Sequence, residues 1–143
     1  MIWKRILMVW AVVAAMLPAV AQEGPKFAPR QFEADLEQFV TTEAGLSPQE
    51  AAVFFPVYKE MQQKQRVLFG KMRQYRHTDT RDDKASLEAI RACDEIDLQI
   101  KKLQQQYHAR FCKVLPAGTV LRIIKAEEKF HRQAFRRMAR RQH

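Results

Sequence analysis

Two pairs of side chains in this 143-residue chain stand at spacings that could do chemistry. His108 and Cys112 are four residues apart, so on a helix they face the same side and could offer an imidazole nitrogen and a thiolate to Zn or Cu. Two ligands are half a site, and neither a clustered His nor a second Cys pair is close in sequence. Glu127 and His131 repeat the spacing, with Glu127 in the apolar sector of its helix. A carboxylate there needs a partner, expected to be His131 or an arginine from another helix. A histidine partner would also make the contact responsive to pH.

Nothing else suggests catalysis. The chain's two serines, Ser47 and Ser86, both stand where helix caps are needed. There is no Gly-rich phosphate loop, no His-Glu-x-x-His helix and no nucleotide-cofactor signature. The reading is therefore of a protein that is not an enzyme and uses no cofactor.

The most pointed pattern is cationic. Arg122, Lys125, Lys129, Arg132, Arg136 and Arg140 recur in steps of three or four, which gathers them into one sector of a helix, with Arg137 and Arg141 adding charge near its end. Such a ridge is either an ordinary solvated face or a surface that attracts acidic or unstructured chains before apolar contacts form. Nucleic acid is not expected as the partner, because no recognition motif accompanies the ridge.

These groups have to be carried by helices. Between Ala51 and Leu115 Pro and Gly are sparse, and Gln, Lys, Arg, Glu, Ala and Leu dominate. A first helix is predicted from about Arg30 to Ala44, with Phe32, Leu36, Phe39 and Val40 at helical spacing and Gly45 in the left-handed terminal position. The clearest start follows: Ser47 as N-cap, Pro48 at the first helical position and Glu50 at the third, forming a capping box. From there Ala51, Phe54, Tyr58, Met61, Gln65, Leu68, Met72 and Tyr75 form a coiled-coil-like stripe, and Pro56 predicts an early bend.

His77 to Asp83 has no apolar residue and reads as a loop, with Asp82, Asp83 or Ser86 offering the next cap. Leu87, Ile90, Cys93, Ile96, Ile100, Leu103, Tyr107, Phe111 and Val114 mark a third helix, ended by Leu115-Pro116-Ala117-Gly118-Thr119. A fourth runs to about Arg140 with Val120, Ile123, Ile124, Phe130, Ala134 and Met138 on one side. Phe54, Phe55, Tyr58, Met61, Phe111, Phe130 and Phe135 are expected mostly in the core. Cys93 and Cys112 share the third helix, which would hold them roughly 28 Å apart, whereas a disulfide needs Cα atoms within about 7 Å. Reduced core thiols, a bridge between two chains, and a metal or redox role remain.

A shift of 69 positions aligns Leu46 with Leu115, Phe54 with Ile123 and Met61 with Phe130, a faint internal repeat in which the Leu-led helix starts are the strongest element. At the other end of the chain, Lys4 and Arg5 precede an apolar run from Ile6 to Leu17, and Pro18-Ala19-Val20-Ala21 has the small-x-small form that signal peptidase accepts. The run is shorter than the roughly 18 to 20 residues of a membrane-spanning helix. Cleavage after Ala21 and export to the periplasm are expected, leaving one helical domain over residues 22–143. The formal net charge of +9 falls to +7 when Lys4 and Arg5 leave.

A cleaved leader, four helices and two Leu-led starts separated by a long helical hairpin resemble the Spy/CpxP family, whose members, ZraP among them, carry a Leu-Thr-x-x-Gln motif twice. Here Leu46-Ser47-Pro48-Gln49-Glu50 keeps the Leu and a hydroxyl cap but has Glu for Gln, and the second copy, at Leu115, keeps only the Leu. The resemblance implies an elongated all-α fold with a long central helical hairpin and an antiparallel homodimer. It also implies an ATP-independent holdase-type chaperone or envelope-stress protein that binds unfolded or acidic polypeptide segments. The alternative is a regulatory or sensing subunit, with or without metal, on the periplasmic part of a membrane signalling protein. Contact of the basic helices with a membrane surface is a third expectation.

Overall fold

The computed structural model describes residues 28–142, so the leader expected over residues 1–21 and its cleavage point lie outside the described residues. Within them the chain forms four α-helices and no strand: α1 (Pro29–Ala44), α2 (Pro48–Arg73), α3 (Asp83–Val114) and α4 (Ala117–Arg141). The all-α expectation and the number of helices hold among these residues.

Local chemistry sets the boundaries. Gly45 ends α1 at φ 67°, ψ 40°; its N–H donates to Thr42 O, and Leu46 N–H reaches back to Thr41 O at 2.9 Å. This pair of reversed bonds satisfies carbonyls that the last turn leaves open. Its chain neighbours apart, no atom among the described residues lies within 4 Å of a Cβ placed on Gly45. Gly45→Ala should therefore cost only the left-handed backbone penalty, about 1–2 kcal/mol by chemical denaturation; no loss would mean that the turn is not held in this conformation.

Two residues on, Ser47 Oγ accepts from Glu50 N–H at 3.1 Å while a Glu50 carboxylate oxygen accepts from Ser47 N–H at 3.0 Å. The capping box forms with Glu in the place where the family motif has Gln, because either side chain can accept from the cap N–H. α2 then continues through Pro56, which is exposed. Asp82 caps α3 by accepting from Ala85 N–H at 3.0 Å. Leu115 is extended, and Pro116 opens α4 without a side-chain cap.

Leu46 and Leu115 are both buried just ahead of a helix start, which is where a residue packs back onto the new helix. The equivalence continues inward: Phe54 and Ile123 are buried, as are Met61 and Phe130. The faint repeat thus marks two helix starts that feed one core.

α2 packs against the following α3, α1 against α4, and α3 meets α4 along a shorter stretch. The centre is aromatic. Phe54 has no exposed surface, stands edge-on to Phe111 at 4.8 Å and to Phe55 at 5.1 Å, and is stacked with Tyr58 at 5.3 Å. Phe130 receives Phe32 and Phe39 from α1 at 5.2 and 5.5 Å. Edge-to-face and offset contacts of this kind add to the burial of ring area. Across α2 and α3, Arg110 donates to Glu60 at 3.1 Å, and this bond holds the Glu60 carboxyl below its ordinary range.

The core is shorter than the helices. No residue between Gln62 and Glu95 is buried, so the far halves of α2 and α3 extend beyond the packed centre as a two-helix arm. Leu87, Ile90 and Val114, placed by periodicity in the buried stripe of the third helix, are exposed instead, because among the described residues no helix covers them. Phe135 and Met138 depart from expectation in the same way. The buried face of α4 ends at Phe130, and beyond it Phe135 is 71% exposed.

Candidate functional site

The expected partner of Glu127, His131, is joined by a second and closer one. Tyr58 Oη donates to Glu127 Oε2 at 2.6 Å, across 69 positions, while His131 Nε2 stands 4.0 Å from the other carboxylate oxygen. The hydrogen bond therefore links two positions that the internal repeat makes equivalent, one on each of its helices. A tyrosine was not foreseen here because Tyr58 falls in an apolar stripe, where its ring alone accounts for it. Burial pushes the Tyr58 phenol well above its ordinary pKa, and the Glu127 charge adds to the effect, so Tyr58 remains a donor at any pH the fold meets. The pair lies at the wall of a polar cleft of about 350 Å³ lined also by Glu33, Gln62, Arg66 and Gln104. Arg66 closes on Glu33, and Lys59 pairs with Glu37 at 3.1 Å, so two ion pairs tie α1 to α2.

The cationic ridge of α4 divides into two parts. Arg122 turns onto the end of α1, its Nε donating to Ala44 O at 3.1 Å and its Nη2 to Thr119 Oγ1 at 3.2 Å. There it serves one of the carbonyls left open at a helix C-terminus, where a cation is also favoured by the dipole. Lys129 pairs with Glu43. Lys125, Arg132, Arg136 and Arg140 are exposed and make no ion pair among the described residues. Two of the six ridge cations are thus part of the α1–α4 contact, and four face solvent.

A surface absent from the sequence reading lies on the arm. Phe69, Met72 and Tyr75 from α2 and the turn after it, with Ala89, Ile90 and Cys93 from α3, line an open groove of about 670 Å³, and Arg73 and Arg76 stand at its rim. Periodicity assigns Met72, Tyr75, Ile90 and Cys93 to the apolar stripes of their helices, and Phe69 and Ala89 to neither. Only the spatial arrangement shows that the stripes outrun their cover.

His108 is half-buried beside Phe111, with ring centroids 6.2 Å apart, and Cys112 is exposed. No group of three or more His, Cys, Asp or Glu side chains among the described residues could hold a metal ion. Cys93 and Cys112 are free and lie on the unbroken helix α3, which rules out a bridge between them within one chain. Cys112 is not the core thiol expected; Cys93 is half-buried in the groove wall.

Fold and surfaces together define an all-α protein that presents an open apolar groove on a two-helix arm and a cationic face on its last helix. Comparison with family models, with curated proteins and with solved structures finds no match. No helix among the described residues is long and apolar enough to cross a membrane.

Proposed function

We propose that the protein is a polypeptide-binding, holdase-type factor that acts without nucleotide, by shielding apolar segments of unfolded chains. The observation that carries this reading is the arm groove. Its lining combines aromatic rings with Met72, whose unbranched thioether adapts to different shapes, and it is open along its length. An extended segment could lie there without a fixed sequence. Arg73 and Arg76 at the rim and the free cations of α4 would draw in acidic chains at low salt before apolar contact forms. The same features are compatible with the Spy/CpxP-like layout, a homodimer and a periplasmic setting, all of which remain part of the proposal.

The test is light scattering of reduced, aggregating α-lactalbumin, an acidic client, with and without the protein. Suppression is expected near equimolar ratio, faster at low salt, and Phe69→Ser combined with Ile90→Ser should weaken it by about thirtyfold, since each removes an apolar contact worth about 1 kcal/mol. Both residues are largely exposed, so the fold should be retained. Absence of suppression at both low and physiological salt would end the proposal.

A further inference from the structure

The last three turns of α4 have a chemistry that the packed part of the helix lacks. After Glu128 no acidic residue follows, while Arg132, Arg136, Arg137, Arg140 and Arg141 do. None of these arginines makes an ion pair among the described residues. Phe135 and Met138 are exposed beside them, 71% and 56%, with no helix to cover them among the described residues.

The arrangement around the axis is specific. At about 100° per residue, Phe135, Met138, Ala134 and Ala139 occupy one arc of roughly 140°. Arg132 and Arg136 border one edge of that arc, Arg141 and Arg137 the other, and Arg140 lies opposite. A short apolar arc with cations on both edges suits a plane of negative charge. Phe135 and Met138 can enter shallowly while the arginines on either side reach head-group phosphates and keep their stems in the apolar layer.

Two other occupants fit less well. A second copy of α4 would set arginines against arginines. A partner helix would need a continuous apolar seam, and the line of Leu121, Ile124, Phe135 and Met138, in which Ile124 is half-buried against the core, is interrupted by Glu128 and His131. We propose that the overhanging turns of α4, from Arg132 to Arg141, form an interfacial helix that docks the protein on an anionic phospholipid surface. This does not rest on the groove reading, because the groove lies on α2 and α3.

The experiment uses the chain from Gln22 on, which contains every buried residue described and excludes the apolar run at residues 6–17. Phe135→Trp introduces its sole tryptophan, since Trp3 and Trp10 fall before Gln22. With vesicles of 30% phosphatidylglycerol in phosphatidylcholine, the introduced indole should shift to the blue and the protein should co-sediment; with phosphatidylcholine alone neither should occur. Combined Arg136→Gln, Arg137→Gln, Arg140→Gln and Arg141→Gln should reduce affinity by several hundredfold, at about fivefold per arginine. Met138→Ala should weaken it several-fold, whereas Phe69→Ser with Ile90→Ser should leave it unchanged.

Absence of binding to the anionic vesicles, or binding that the arginine substitutions do not weaken, overturns the proposal. So does a blue shift produced equally by poly-glutamate in solution, which would make an acidic polypeptide the occupant. A shift that grows with protein concentration without vesicles would make the occupant a second copy and overturn the proposal as well. Circular dichroism of each variant confirms that the helices persist.

Discussion

Phe54→Ala is expected to remove about 3–5 kcal/mol of folding free energy, the cost of deleting a fully buried ring and leaving part of its volume empty. Phe54 is wholly buried and touches Phe55, Tyr58 and Phe111, so its removal opens contacts on both sides of the α2–α3 interface. A domain of this size has about 5–15 kcal/mol in total. The variant should accordingly unfold at much lower urea, with a large fraction unfolded at 37 °C. Phe54→Leu, which keeps most of the apolar volume, should recover more than half of the loss. A decrease below about 1 kcal/mol for the alanine variant would show that the site collapses around the missing ring, which the crowded aromatic contacts argue against.

The second large effect concerns Tyr58 and is best read against pH. Near neutrality Tyr58→Phe removes the 2.6 Å donor of Glu127 and leaves a half-buried carboxylate with His131 Nε2 4.0 Å away, a loss of about 1–3 kcal/mol. The folded-state pKa of Tyr58 is raised far above its unfolded value, so the stability this phenol contributes is fully present below about pH 10. Above that, the unfolded chain releases a proton that the folded one keeps. It then binds fewer protons than the native state, and stability must fall as pH rises, by about 1.4 kcal/mol per pH unit for this one group. The difference in unfolding free energy between wild type and Tyr58→Phe should therefore be constant from pH 7 to 9 and shrink above pH 10. A difference that stays level to pH 11 would mean that the Tyr58 phenol ionises as readily in the folded protein as in the unfolded chain.

Glu127 shows where sequence reasoning stops. Its place in an apolar sector announces that a partner exists, because an uncompensated carboxylate there is costly. The identity of that partner depends on which residue α2 brings opposite, and no local pattern encodes it. The repeat could have supplied the clue, since Tyr58 and Glu127 occupy equivalent positions 69 residues apart. The cationic ridge has the same character. Spacing places its six members on one sector, but only the approach of α1 decides that Arg122 and Lys129 are engaged while Lys125, Arg132, Arg136 and Arg140 stay free.

What the sequence by itself determined is the set of helices and their ends. Gly45, Ser47 with Glu50, and Pro116 act within a few residues of themselves, through left-handed backbone, capping bonds and a missing N–H, so their effect can be read without knowing the rest of the fold, whereas the choice of Asp82 over Asp83 or Ser86 as the cap of α3 is made by the structure. The tertiary structure alone decided how far the core reaches. Leu87, Ile90 and Met138 obey the same periodicity as Ile96, Ile100, Ile123 and Phe130, yet the first three are exposed and the others buried. Periodicity says which side of a helix is apolar; burial requires a second surface to cover that side, and along the arm and the end of α4 the described residues supply none. The two surfaces to which function is assigned are those uncovered stretches.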